Sequence, residues 1–260
     1  MALTGGDVVL ERGHDGRVAY LTLSHGTYTV VTMEMRRLVA ERFAEIDRDP
    51  QIKVVVVRSD GQHFTSGGDI AGFMEVDPID LTDLGHDVTA PARSAKPVIA
   101  AIDGYCFGVG LEMALACDIR LGTGRTQLAL PEMNLGMIPG SGGTQRLARL
   151  IGLSRAKFHI MTATRIQARQ ALDWGILSAE LYDDRDALHA AADELALRMA
   201  GFSPAALRTA KEVLDRGVDG PLYTGIELER KAYSMLRATD DFAEGVKAFG
   251  EKRAAEFTGR

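Results

Sequence analysis

Glu112 stands in an otherwise apolar run, with Leu111 before it and Met113, Ala114, Leu115 and Ala116 after it. An unpaired carboxylate carried into such a segment is costly, and burial moves its pKa up toward neutral pH. That setting suits a general acid or base; the plainer alternative is a carboxylate offsetting the dipole at a helix start. The chain that leads to it, residues 97–112, reads as a buried strand, a Gly-rich turn through Gly108 and Gly110, and a helix. Free N–H groups at such a turn suit a developing oxyanion. A second carboxylate, Glu132, lies between Pro131 and Pro139 in a loop. A loop acid by itself is more often simply solvated, but beside Glu112 it would make a pair for acid–base work. His63-Phe-Thr-Ser-Gly-Gly-Asp-Ile70 follows a Val-rich strand and reads either as a tight turn or as the source of a second backbone donor.

Other chemistries fit less well. Gly108-Val109-Gly110 is followed by Leu111, Glu112 and Met113, which breaks the dinucleotide pattern, and the Gly-rich stretch 139–144 lacks the phosphate-loop lysine. The six histidines are scattered and the two cysteines, Cys106 and Cys117, sit in apolar sequence, so no metal site is expected and buried thiols are. A formal net charge of −6 argues against a nucleic-acid partner. No apolar run approaches the roughly 18 residues of a membrane span, and residues 1–16 resemble neither a secretory nor a transit segment, so a cytoplasmic protein is expected.

These side chains need elements to hold them. Residues 8–10 and 18–23 read as strands around a turn at His14-Asp15-Gly16, and 32–48 as a helix with Met35, Leu38, Val39, Phe43 and Ile46 on one face. Val54 to Val57 predict a strand buried on both faces. Residues 77–95 read as a mobile connector or lid, 97–102 as a second buried strand, 119–122 as a third, and 128–143 as a loop. From 154 onward the pattern is helical: 155–162, 168–174, 186–200, 205–216, 221–237 and 241–257. Alternating strands and helices followed by helices alone predict a layered α/β core with a helical C-terminal region. We place the boundary between 1–195 and 196–260.

The motifs resemble the enoyl-CoA hydratase/isomerase (crotonase) superfamily. The resemblance runs through 63–70, 96–105 (Lys-Pro-Val-Ile-Ala-Ala-Ile-Asp-Gly-Tyr), 110–118 (Gly-Leu-Glu-Met-Ala-Leu-Ala-Cys-Asp), 131–147 and the tail at 248–253. It implies a ClpP/crotonase core of repeated ββα units, a trimer or hexamer, and an acyl-CoA thioester as substrate, with no separate cofactor. By the same resemblance Ser66 and Val109 supply the oxyanion-hole N–H groups. Glu112 activates water and Glu132 protonates Cα in the hydration of a trans-2-enoyl-CoA. Gly67, Gly68, Asp69, Gly108, Tyr233, Phe249 and Lys252 are then expected to bind substrate or CoA. Isomerase or hydrolase chemistry, or a non-catalytic subunit, are the alternatives. Phe73, Met74, Met137 and Trp174 are candidates to shape the acyl site. Val109 stands where the family commonly has Gly, and His25 to Val31 replaces its usual Pro-x-x-x-Asn-Ala loop.

Overall fold

The computed structural model describes residues 2–260. Strands β1 (Asp7–Gly13) and β2 (Val18–Ser24) form an antiparallel hairpin. Its turn uses His14 and Asp15 in the left-handed region (φ 54° and 58°). Helix α1 (Met33–Arg48) is capped by Thr32, whose side chain accepts from the Met35 N–H. Next come β3 (Val54–Ser59), the short α2 (Ile70–Phe73) and α3 (Pro78–Val88). Two strand–strand–helix units follow. The first is β4 (Val98–Ile102), β5 (Tyr105–Phe107) and α4 (Val109–Ala116); the second is β6 (Ile119–Thr123), β7 (Gln127–Ala129) and α5 (Gly143–Ile151). The remainder is α6 (Leu153–Met161), β8 (Ile166–Gln167), α7 (Ala168–Asp173), β9 (Leu181–Tyr182), α8 (Arg185–Ala200), α9 (Pro204–Gly217), α10 (Leu222–Arg237) and α11 (Asp240–Glu251).

Six strands make one sheet in the order β1-β2-β3-β4-β6-β9, parallel from β2 onward, and β5-β7-β8 make a smaller second sheet. The repeat explains this: β4 and β6 pair in the large sheet while their successors β5 and β7 pair in the small one. Val54 to Val57 are buried on both faces, as their β-branched run predicts. Val55 and Val57 face α1 and α4 in the main core. Val54 and Val56 face α8, whose Leu188, Ala192, Ala196 and Ala200 recur every four residues, small enough for the helix to lie close on the sheet. Helix α8 runs continuously across the boundary expected at 195/196, and its last buried residues belong to the sheet's core.

Some expected elements differ: β8 and β9 fall within the stretch from 154 onward expected to be helical. The 77–95 connector is ordered into α3 and a 3₁₀ turn (Ala90–Arg93). Asp77 accepts from the Ile79 N–H, Pro78 opens the helix, and Leu84, Gly85 and Val88 are buried. Its sparse apolar residues suffice because only one face needs covering. The last helix stops at Glu251 rather than 257. Lys252 turns into the left-handed region (φ 55°), and the tail folds back so that Thr258 and Gly259 N–H donate to Asp241.

Candidate active site

Helix α4 begins where Gly108 (φ 53°) turns the chain, a conformation that disfavours side-chain-bearing residues. All eight of its residues are buried, Glu112 included. The Glu112 carboxylate is not left unpaired: Oε1 accepts from the N–H groups of Ser141 (2.6 Å) and Gly143 (3.0 Å) where α5 begins. Two backbone donors at a helix start fix the orientation of this side chain. Residues 128–143, expected as loop, therefore contain both the end of strand β7 and the clamp on Glu112.

Glu132 opens a 3₁₀ turn (Glu132–Leu135). Its Oε2 is buried without a hydrogen-bond partner among the described residues. Burial pushes its carboxyl up to about 7, the nearby Glu112 charge pushes the same way, and its own backbone N–H opposes them. The two carboxylates come from different units of the repeat and line one cavity of about 640 Å³.

Two N–H groups border the same cavity. Val109 is the first residue of α4, so its N–H has no intrahelical acceptor. The second donor differs from expectation. Ser66 N–H donates to the Tyr28 carbonyl (2.9 Å) and Gly67 N–H to Thr65 Oγ1 (3.0 Å), so both are committed. Gly67 O and Asp69 N–H bond Val31, which turns the intervening Gly68 N–H the other way, where it meets no acceptor among the described residues. The free pair is Gly68 and Val109. The 25–31 loop thus buttresses this edge of the site through Tyr28 and Val31.

Other expected residues divide. Ser66, Gly67, Gly68 and Gly108 line the cavity, as do Phe73 and Met137, with Pro78, Leu81 and Thr82 of α3 closing one side. Asp69 does not: its Oδ2 accepts from the Leu3 N–H (2.7 Å) and ties down the N-terminal segment. Met74 is exposed, and Trp174 packs against the main core beside Arg155. Tyr233, Phe249 and Lys252 sit on or at the end of α10 and α11, exposed and apart from the cavity. Cys106 and Cys117 are buried, and burial pushes the Cys117 thiol up to about 12.

The expectations omit Arg36. It is buried in α1, lines the cavity, and stacks its guanidinium over Phe73 (4.9 Å to the ring centroid). Burial lowers its pKa to about 10, against the opposing pull of the Glu112 charge. Its spacing carries the signal: positions 36, 39, 43 and 46 form one buried stripe, and an arginine on such a stripe needs a reason.

A repeated strand–strand–helix core with two carboxylates and two free N–H groups in one cleft defines a class of enzyme rather than a binding scaffold. The family model for enoyl-CoA hydratase/isomerase matches residues 14–260, and the chain belongs to that family. It is 37% identical over 214 residues to a 2,3-dehydroadipyl-CoA hydratase of Escherichia coli (strain K12), covering 82% of this chain and 83% of the relative. It is 32% identical to a short-chain-enoyl-CoA hydratase of Clostridium acetobutylicum, covering 96% and 97%. A crystal structure of an enoyl-CoA hydratase from Bacillus anthracis superposes with a TM-score of 0.89 at 31% identity, covering 97% of this chain and 99% of that one. The fold is that of the crotonase superfamily, whose members act on acyl-CoA thioesters.

Proposed function

We propose that the protein is an enoyl-CoA hydratase, adding water reversibly and syn across a trans-2-enoyl-CoA to give a 3-hydroxyacyl-CoA. The observation that carries this reading is the unequal pair: Glu112 gripped at Oε1 by two N–H donors, Glu132 with Oε2 buried unpartnered and its carboxyl pushed up to about 7. The thioester oxygen accepts from Gly68 and Val109 N–H, so negative charge moving onto it during attack is stabilised. Glu112 takes a proton from water as its oxygen bonds Cβ, and protonated Glu132 delivers a proton to Cα. The pair carries one proton throughout, shifted from one carboxylate to the other, and the reverse dehydration uses the same count. The substrate brings its own coenzyme A, and no separate cofactor enters these steps.

The test is incubation with crotonyl-CoA while following loss of the enoyl absorbance. Hydration supports the reading. No turnover, together with turnover of a 3-enoyl-CoA, assigns an isomerase instead. We propose too that the chain works as a homotrimer or a dimer of trimers. Leu222, Tyr223, Tyr233, Met235, Val246 and Phe249 leave an apolar surface on α10 and α11 that suits a neighbouring copy.

A further inference from the structure

Proposed hydration gives no task to Arg36, yet its position is an expensive one. The residue is 4% exposed, and its Nε is buried with no acceptor among the described residues. Glu112, whose charge acts on it, already accepts from Ser141 and Gly143, and Arg36 forms no ion pair among the described residues. A desolvated cation is tolerated when something completes it, and the planar guanidinium fork is complementary to a carboxylate. Phe73 covers one face of that fork, and the guanidinium borders the cavity.

Gly68 sets the distance scale. A Cβ built on it would stand 2.8 Å from Arg36 Nη2, so the guanidinium lies against the backbone of Gly68. That is the residue whose free N–H faces the cavity. An anion bound by Arg36 therefore sits only a few bonds from the thioester carbonyl.

We propose that Arg36 is a specificity residue that selects acyl-CoA substrates whose short acyl chain carries a second carboxylate. The inference deepens the hydratase reading and takes from it the seating of the thioester oxygen at Gly68 and Val109; the recognition itself is a binding event and needs no turnover. The carboxylate pairs with the guanidinium fork in the cavity, while Phe73 and the apolar wall exclude water from the pair.

Binding separates this from other roles of Arg36. Saturated thioesters, which have no double bond to hydrate, are compared in matched pairs by calorimetry: succinyl-CoA with butyryl-CoA, glutaryl-CoA with pentanoyl-CoA, adipoyl-CoA with hexanoyl-CoA. The CoA phosphates are common to each pair and cancel. The wild-type protein is expected to bind at least one diacid thioester on the order of 10-fold tighter than its partner, as a desolvated charge-assisted pair allows. Arg36→Met, which keeps the volume of the stem, is expected to abolish or invert that ratio, and Arg36→Lys to retain part of it. A wild-type protein with no diacid preference overturns the proposal whatever the variants do. So does an Arg36→Met protein that weakens both members of a pair equally, because Arg36 would then serve Glu112 or the fold. A diacid preference without hydration of any enoyl-CoA would sink the hydratase reading and leave this one standing; hydration without the preference would do the reverse.

Discussion

Glu112 and Glu132 are the same residue type in opposite environments. Two backbone N–H groups donate to one; burial, with Oε2 unpartnered, pushes the other up to about 7. Hydration needs one proton on the pair, so kcat/KM is expected to fall as pH rises through about 7, in both directions of the reaction. Glu132→Gln should lower kcat by about 10²–10⁴-fold in a crotonyl-CoA assay and remove that limb of the profile. The same substitution has a stability signature. The folded-state pKa of Glu132 lies above its ordinary 4.5, so its ionisation opposes folding. That cost is absent below about 4.5, where both states are protonated, and is complete above about 7. Glu132→Gln should therefore raise Tm above pH 7 and leave it nearly unchanged near pH 4; an equal shift at both pH values would contradict the assignment. Val109 gives a sharper contrast. Its N–H sits at the first position of α4, where proline is structurally tolerated. Val109→Pro should cost about 10²–10³ in kcat with the fold retained by circular dichroism, whereas Val109→Ala keeps the donor and most of the rate.

At the scale of elements, the site is assembled by two consecutive units of one repeat. The β4-β5-α4 unit carries Glu112 and Val109, and the β6-β7-α5 unit carries Glu132 and the clamp on Glu112. Helix α8 holds the opposite face of the large sheet through alanines. Ala192 is fully buried there, and Ala192→Leu should destabilise by about 1–3 kcal/mol through overpacking, measured by urea denaturation. Crotonyl-CoA turnover of the folded fraction should persist, because α8 lies across the sheet from the cavity. Helix α3 is bound differently, by an Asp77 cap and a thin buried edge. Asp77→Ala should cost about 1 kcal/mol. Because Pro78, Leu81 and Thr82 line the cavity, that loss should also raise KM more than it lowers kcat.

For the whole molecule, α10 and α11 present a run of exposed large apolar residues, and Phe249 is 87% exposed. Sedimentation is expected to give a trimer or hexamer, with Phe249→Asp shifting the population toward monomer. If the wild-type chain sediments as a monomer, the assembly proposal fails. Tyr233 and Lys252, remote from the cavity of their own chain, lie on this same region.

Local sequence was enough for much of this. The Val54–Val57 run, the Thr32-capped helix and the strand–turn–helix around Gly108 each follow from periodicity, capping and backbone freedom acting over a few residues. The motifs around Glu112 and Glu132 carried the family. What needed the tertiary structure was every property set by distant chain segments. Ser66 and Gly68 are two residues apart and look alike as turn residues, but Tyr28 and Val31 decide which N–H is left free. Asp69 looked like a ligand and is tied to Leu3. Arg36 drew no expectation from the sequence; only the fold shows it enclosed at the cavity with Nε unpartnered. The two glutamates are chemically identical along the chain; folding gives Glu112 Oε1 two backbone donors and buries Glu132 Oε2 without one, which pushes the Glu132 carboxyl up.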